Sequence, residues 1–105
     1  FLAGHFDAEC HPLRPWKRTH SVVLFVNDKW ESDWGGSLLV ESVGTFRPQF
    51  NKCVIFETEK AWHEVDSVAT EADYRKTLAL FAWKQAECSG RTSAQFETKM
   101  TGSSG

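Results

Sequence analysis

Hydrophobic positions along the chain fall in short runs separated by polar and turn-forming residues, without the long 3.6-residue stripe of an amphipathic helix. His20–Asn27 is apolar and β-branched through its middle, and Asn27-Asp28 signals a turn. Ser37–Glu41 follows Gly35-Gly36, Lys52–Glu57 follows Asn51, and Arg75–Trp83 follows an acidic stretch. Each run predicts a strand of five to nine residues, buried on at least one face. Trp62–Val65 is one more short candidate, while Gly44 and Pro48–Asn51 mark further turns. Helical signal is confined to Ala69–Tyr74, enough for a single turn. Many short strands and many turns predict an all-β sandwich or jelly roll.

Length and composition narrow the picture. A chain of 105 residues allows one domain. The longest apolar run is six residues, Leu78–Trp83, too short to span a membrane. The first residues, Phe1-Leu-Ala-Gly-His5, lack the basic-then-apolar order of a secretory leader. A net charge of −2 without long runs of one sign speaks against nucleic acid or an anionic membrane as partner. Three cysteines (Cys10, Cys53, Cys88) make an odd number with no CxxC pair. They predict reduced thiols and a cytoplasmic setting rather than a disulfide framework. Five Trp and eight Phe supply the large rings that help a small chain build a core. Residues 1–88 read as that core, and the Ser/Thr/Gly-rich 89–105 as a flexible or loosely docked tail.

The candidate chemistry begins at His5-Phe6-Asp7. Residues i and i+2 of an extended strand share a face, so an imidazole and a carboxylate would point into one cavity. The pair alone is weak, because His-x-Asp is also an ordinary surface turn. His63, just after the Lys52–Glu57 strand, can complete a two-His, one-carboxylate face of the kind that binds Fe(II) and leaves positions open. Arg75 opens an apolar strand, with Thr77 on the same face. A guanidinium there needs an anion partner, and a dicarboxylic acid offers a two-pronged one.

The ordered set His5-x-Asp7, Asn27-Asp-Lys-Trp30, Trp34-Gly-Gly-Ser-Leu38, Phe50-Asn-Lys-Cys-Val-Ile-Phe56, Trp62-His-Glu-Val65 and Arg75-Lys-Thr77 resembles the Fe(II)/2-oxoglutarate-dependent oxygenases. It is most similar to their prolyl 4-hydroxylase-like branch, from about His5 to Trp83. The resemblance implies a distorted jelly roll, the double-stranded β-helix, with Fe(II), 2-oxoglutarate and O2 as cofactor and cosubstrates, and ascorbate a further candidate. It implies His5, Asp7 and His63 as iron ligands and Arg75 as the anchor of the distal carboxylate, assisted by Thr77. Val23, Phe25 and Leu38 would line the cosubstrate pocket; Phe25 stands where a Tyr is common. The implied reaction is hydroxylation of a C–H bond, of a prolyl residue by branch resemblance, with release of succinate and CO2. The carboxylate of Asp7 favours hydroxylation over halogenation.

Members of this family carry a strand and helices before the His-x-Asp strand, and only four residues precede His5 here. The chain is therefore expected to lack those elements. A non-catalytic jelly-roll binding module is the alternative function, and an exposed strand edge predicts a homodimer or strand-exchanged assembly. Arg14, Trp16 and Trp62 are candidate substrate contacts, the first two in the loop before His20, the last beside His63. His11 and Cys10 read as loop, His20 as a strand-edge residue, and Trp30 and Trp34 as core.

Overall fold

The computed structural model describes residues 2–96, and its regular structure is almost entirely strand. In chain order the strands are β1 (Leu2–Phe6), β2 (Trp16–Phe25), β3 (Leu38–Val40), β4 (Gly44–Phe46), β5 (Cys53–Glu57), β6 (His63–Val65), β7 (Thr77–Gln85) and β8 (Gln95–Phe96). A single 3-10 turn, Ser32–Trp34, interrupts them. One antiparallel sheet runs β4-β3-β6-β1-β8, the other β5-β2-β7. This is a jelly-roll arrangement, as the pattern of short apolar runs predicts. No helix among the described residues is long and apolar enough to cross a membrane.

Alternation of side chains places the core. In β5, Val54 and Phe56 are buried while Cys53, Ile55 and Glu57 are exposed. In β3, Leu38 and Val40 are buried and Leu39 faces out. Both sheets contribute to one cluster of Phe25, Leu38, Val40, Val54, Phe56, Ala61 and Val65, with Val23 and Phe46 against it. Phe25, Leu38 and Val40 are almost completely shielded, and each fully buried side chain of this size contributes about 1.5–3 kcal/mol.

The structure differs from the sequence expectation in several places. β2 begins at Trp16, four residues before the apolar run, and a bulge between Arg18 and His20 adjusts its register on β7. The polar residues Lys17–His20 hide this extension, which backbone pairing supports together with side-chain contacts of Lys17, Arg18 and Thr19. β4 forms where Gly44 suggests only a turn. Ala69–Tyr74 makes a turn, with Ala72 N–H donating to Ala69 O, and no helix.

Two corrections concern the ends of β2 and β7. Cys10 and Cys88 form a disulfide across 78 residues, so the expectation of three reduced thiols fails; Cys53 is free and exposed. The cause is topological. The β2–β7 pairing sets Trp16 opposite Gln85, and Cys10 bridges back to Lys17, so both cysteines are brought to one place that local spacing cannot reveal. The cytoplasmic reading loses the premise it rested on. Residues 89–96, read as the start of a flexible or loosely docked tail, are docked: β8 pairs with His5 and Phe6 of β1. The remainder of that tail, 97–105, lies outside the described residues.

Candidate metal centre

Register brings the three candidate ligands together. His5 and His63 are direct Cα partners in the antiparallel β1–β6 pair, and their rings lie 4.2 Å apart between centroids. Asp7 follows His5 by two residues, so its side chain projects to the same side. Asp7 Oδ1 is 3.2 Å from His5 Nε2 and 3.5 Å from His63 Nε2. One ligand atom from each residue lies within 4.8 Å of the others. Ligands at right angles around an ion, with bonds of about 2.1 Å, sit about 3.0 Å apart. The triad therefore fits three adjacent positions on one side of a divalent ion.

Each ligand is oriented by a second contact. His5 Nδ1 is 2.9 Å from Ala3 O, and His63 Nδ1 is 3.2 Å from Ala61 O. A carbonyl only accepts, so both rings donate from Nδ1, and Nε2 is the nitrogen each ring turns toward Asp7. Ser21 Oγ donates to Asp7 Oδ2 at 2.9 Å, freeing Oδ1 for the imidazole side. The Ser21 hydroxyl also meets Thr58 Oγ1 at 2.9 Å, and both residues are fully buried. Burial raises the Asp7 carboxyl, but the His63 hydrogen bond and charge, the Ser21 hydroxyl and the His5 charge outweigh it. The group settles at about 2, below the ordinary 3.8. It is an anion throughout the physiological range, as a metal ligand must be.

The triad opens on a cavity of about 190 Å³ whose walls include Ser21, Val23, Leu38, Arg75, Thr77 and Phe81. Arg75 is held by its surroundings. Its Nε donates to Gly36 O at 2.7 Å, and its guanidinium carbon lies 5.4 Å from the Phe25 ring. Gly36 takes φ of 72° and Gly35 of 75°, and a Cβ on Gly35 would collide with the Ser67 carbonyl. Glycine is required for this turn, which feeds β3 and presents the acceptor to Arg75. Asn27 clamps the chain on either side of Arg75: its Nδ2 donates to Tyr74 O at 2.8 Å, and its Oδ1 accepts from Lys76 N–H at 2.6 Å. Burial pulls the Arg75 guanidinium below its ordinary range, with Asp66 opposing. A guanidinium stays charged regardless. Among the described residues its terminal nitrogens make no hydrogen bond or ion pair, so they remain available to a ligand.

The remaining candidates scatter. Phe25 is completely buried and backs Arg75 from the core rather than lining the cavity. Trp62 packs edge-on against Phe6 at 5.0 Å and covers Gly4; Gly4 and Phe6 alternate with His5, so Trp62 lies behind the metal face. It lines a separate groove with Leu39, Glu41 and Val43. Trp16 stacks with His11 at 5.2 Å, and Arg14 is exposed above it; neither lines the cavity. His11 accepts from Leu13 and Arg14 N–H, a loop role as read from sequence.

Sequence reasoning missed four positions. Ser21, a polar residue opening an otherwise apolar run, carries a legible signal, as does Asn27 at its end. Thr58 carries none. Nor does Arg18, whose guanidinium stacks 3.7 Å from the Phe81 ring and 4.7 Å from Trp83. Thr77, Ala79 and Phe81 line the cavity, and Trp83, paired with Arg18, continues the same face of β7 beyond it. Among the described residues Arg18 Nε is buried without a hydrogen-bond partner, and its charge interacts with Asp7.

The fold and this site agree with a comparison across protein families. The family model described as the 2OG-Fe(II) oxygenase superfamily matches residues 1–83, most of the chain. The protein belongs to that superfamily, a class of oxygenases that use Fe(II) and 2-oxoglutarate. No curated protein and no solved structure matches it closely enough to name a nearer relative.

Proposed function

We propose that the protein is a dioxygenase that hydroxylates a prolyl C–H bond in a peptide or protein, using His5, Asp7 and His63 as the iron ligands. One observation carries the reading: the triad, Arg75 and Thr77 line a single cavity of about 190 Å³. That volume is below the roughly 300–1,000 Å³ of sites for drug-sized ligands, which suits a small keto acid. Fe(II) with 2-oxoglutarate and O2 supplies the oxidising chemistry, in which the keto acid is decarboxylated to succinate and CO2 while a C–H bond is hydroxylated.

The chain's own residues bind, orient and exclude water. Arg75 forks onto the distal carboxylate of the cosubstrate, and the Thr77 hydroxyl adds a hydrogen bond. Val23 and Leu38 pack against its methylenes. Ser21 keeps Asp7 turned so that one oxygen faces the imidazoles. Beyond the cavity, Phe81 and Trp83 with the Arg18 guanidinium stacked on them form a cation–aromatic surface against which a prolyl peptide would rest.

The test is turnover with a panel of prolyl-containing peptides, Fe(II) and 2-oxoglutarate, read by succinate release and by mass. The expected result is a gain of one oxygen on proline, dependent on iron and keto acid. Succinate release that no peptide stimulates, with oxygen found on a small molecule instead, would remove the prolyl assignment. Absence of cosubstrate binding altogether would remove the enzyme reading and favour a binding module.

A further inference from the structure

The chain beyond the family match grips the segment that carries Asp7. Arg91 Nε donates to Asp7 O at 3.0 Å, its Nη1 lies 2.9 Å from Glu9 Oε2, and its Nη2 donates to Thr58 O at 3.2 Å and Glu59 O at 3.4 Å. Its guanidinium carbon sits 4.8 Å from the Phe6 ring. Its own carbonyl accepts from both Glu9 and Cys10 N–H at 2.8 Å. The Cys10–Cys88 disulfide fastens the same two segments covalently. A long, charged side chain is here spent on backbone carbonyls of two separate strand ends, and those ends are not arbitrary. Asp7 is a member of the triad, and Thr58 is the outer member of the Thr58–Ser21–Asp7 hydroxyl relay.

We propose that Arg91 is a positioning residue for the metal centre. It pins Asp7 by its main chain directly and by its carboxylate indirectly, through Thr58 and Ser21. The inference rests on the triad being the metal site. With Arg91 in place, the carboxylate is held from both ends and needs little reordering to meet an ion. Without it, the Asp7–Cys10 segment keeps the disulfide but loses the fork that ties it to Thr58. Loss of an outer partner of this kind weakens metal affinity about 10–100-fold.

The test uses the full chain, disulfide intact, with Co(II) as probe. Affinity is read by competition with a chelator, and ligand geometry by the visible Co(II) spectrum. Urea unfolding of the metal-free protein runs in parallel. Arg91→Met is expected to bind Co(II) at least about tenfold more weakly, with an altered spectrum, under conditions where the protein is fully folded. Arg91→Lys keeps the charge beside Glu9 but cannot bridge both carbonyls, and is expected to recover only part of the affinity. Should Arg91→Met fail to fold, Arg91→Lys alone decides. Wild-type Co(II) affinity and spectrum in the folded Arg91→Lys protein, or in Arg91→Met, with only the urea midpoint lowered, would make Arg91 a structural residue and overturn the proposal. Failure of the wild-type chain to bind Co(II) would overturn the metal reading itself, and this inference with it.

Discussion

Arg75 offers the sharpest energetic test of the cosubstrate site. Its Nε is committed to Gly36 O, Arg75 lines the cavity, and its two terminal nitrogens are the donors left for an incoming anion among the described residues. Arg75→Ala removes both functions, so a raw loss of 2-oxoglutarate affinity would not separate anchoring from local collapse. A cycle does. The second ligand is 2-oxopentanoate, which has the same chain length but a methyl group in place of the distal carboxylate. Both ligands are titrated by calorimetry in the presence of Mn(II), against wild type and Arg75→Ala. Hydrogen bonds to charged groups contribute about 1.5–3 kcal/mol each, and leaving one partner buried adds to the cost of truncation. The expected coupling between guanidinium and carboxylate is about 2 kcal/mol, or roughly 30-fold in affinity. 2-Oxopentanoate should bind both proteins nearly alike. A coupling below about 0.5 kcal/mol, with both ligands losing affinity equally, would show that Arg75 shapes the turn at Gly36 and does not hold the carboxylate.

Three further outcomes follow from the same contacts. Ser21→Ala should weaken Co(II) binding several-fold and raise the Asp7 carboxyl, since one of the groups that lowers it is gone; an unchanged affinity measured with competing chelator would dismiss the relay. The depressed Asp7 carboxyl should stabilise the metal-free fold above the ordinary 3.8, and that contribution should disappear as pH falls toward about 2. Allowing for partial exposure to water, the difference in urea stability between wild type and Asp7→Asn should shrink by about 1 kcal/mol from pH 5 to pH 2.5, and a constant difference would contradict it. Breaking the disulfide in Cys10→Ala/Cys88→Ala should cost about 2–4 kcal/mol, seen as a lower urea midpoint, because a closed loop across 78 residues is released in the unfolded chain; an unshifted midpoint would mean that Arg91 and β8 hold the segment unaided.

The parts of this structure that sequence reveals are those encoded locally. Strand alternation in Leu38–Val40 and Cys53–Glu57 follows directly from residue type, and so does the shared face of His5 and Asp7. What stays hidden depends on register. The bulge at Arg18–His20 decides what Arg18 stacks on, and no local pattern announces it. Cys10 and Cys88 meet because β2 and β7 align, and Arg91 reaches Asp7 across 84 positions. Trp62 illustrates the converse. Adjacency to His63 in sequence suggests proximity to substrate, whereas a strand sends neighbouring residues to opposite faces and puts Trp62 behind the site. Ser21 and Asn27 lie between these cases: each is a polar residue beside an apolar run, visible as an exception but without a partner until the fold supplies one.

His5 of β1, Asp7 just beyond its end and His63 of β6 are held to meet on one ferrous-type ion. Anomalous diffraction from crystals soaked in Mn(II) and 2-oxoglutarate tests it most directly. The account predicts a single peak bonded to His5 Nε2, Asp7 Oδ1 and His63 Nε2 at about 2.0–2.3 Å, with Arg75 on the far carboxylate of the keto acid. A peak ligated elsewhere, or no peak at the triad in crystals that otherwise take up the metal, would contradict it.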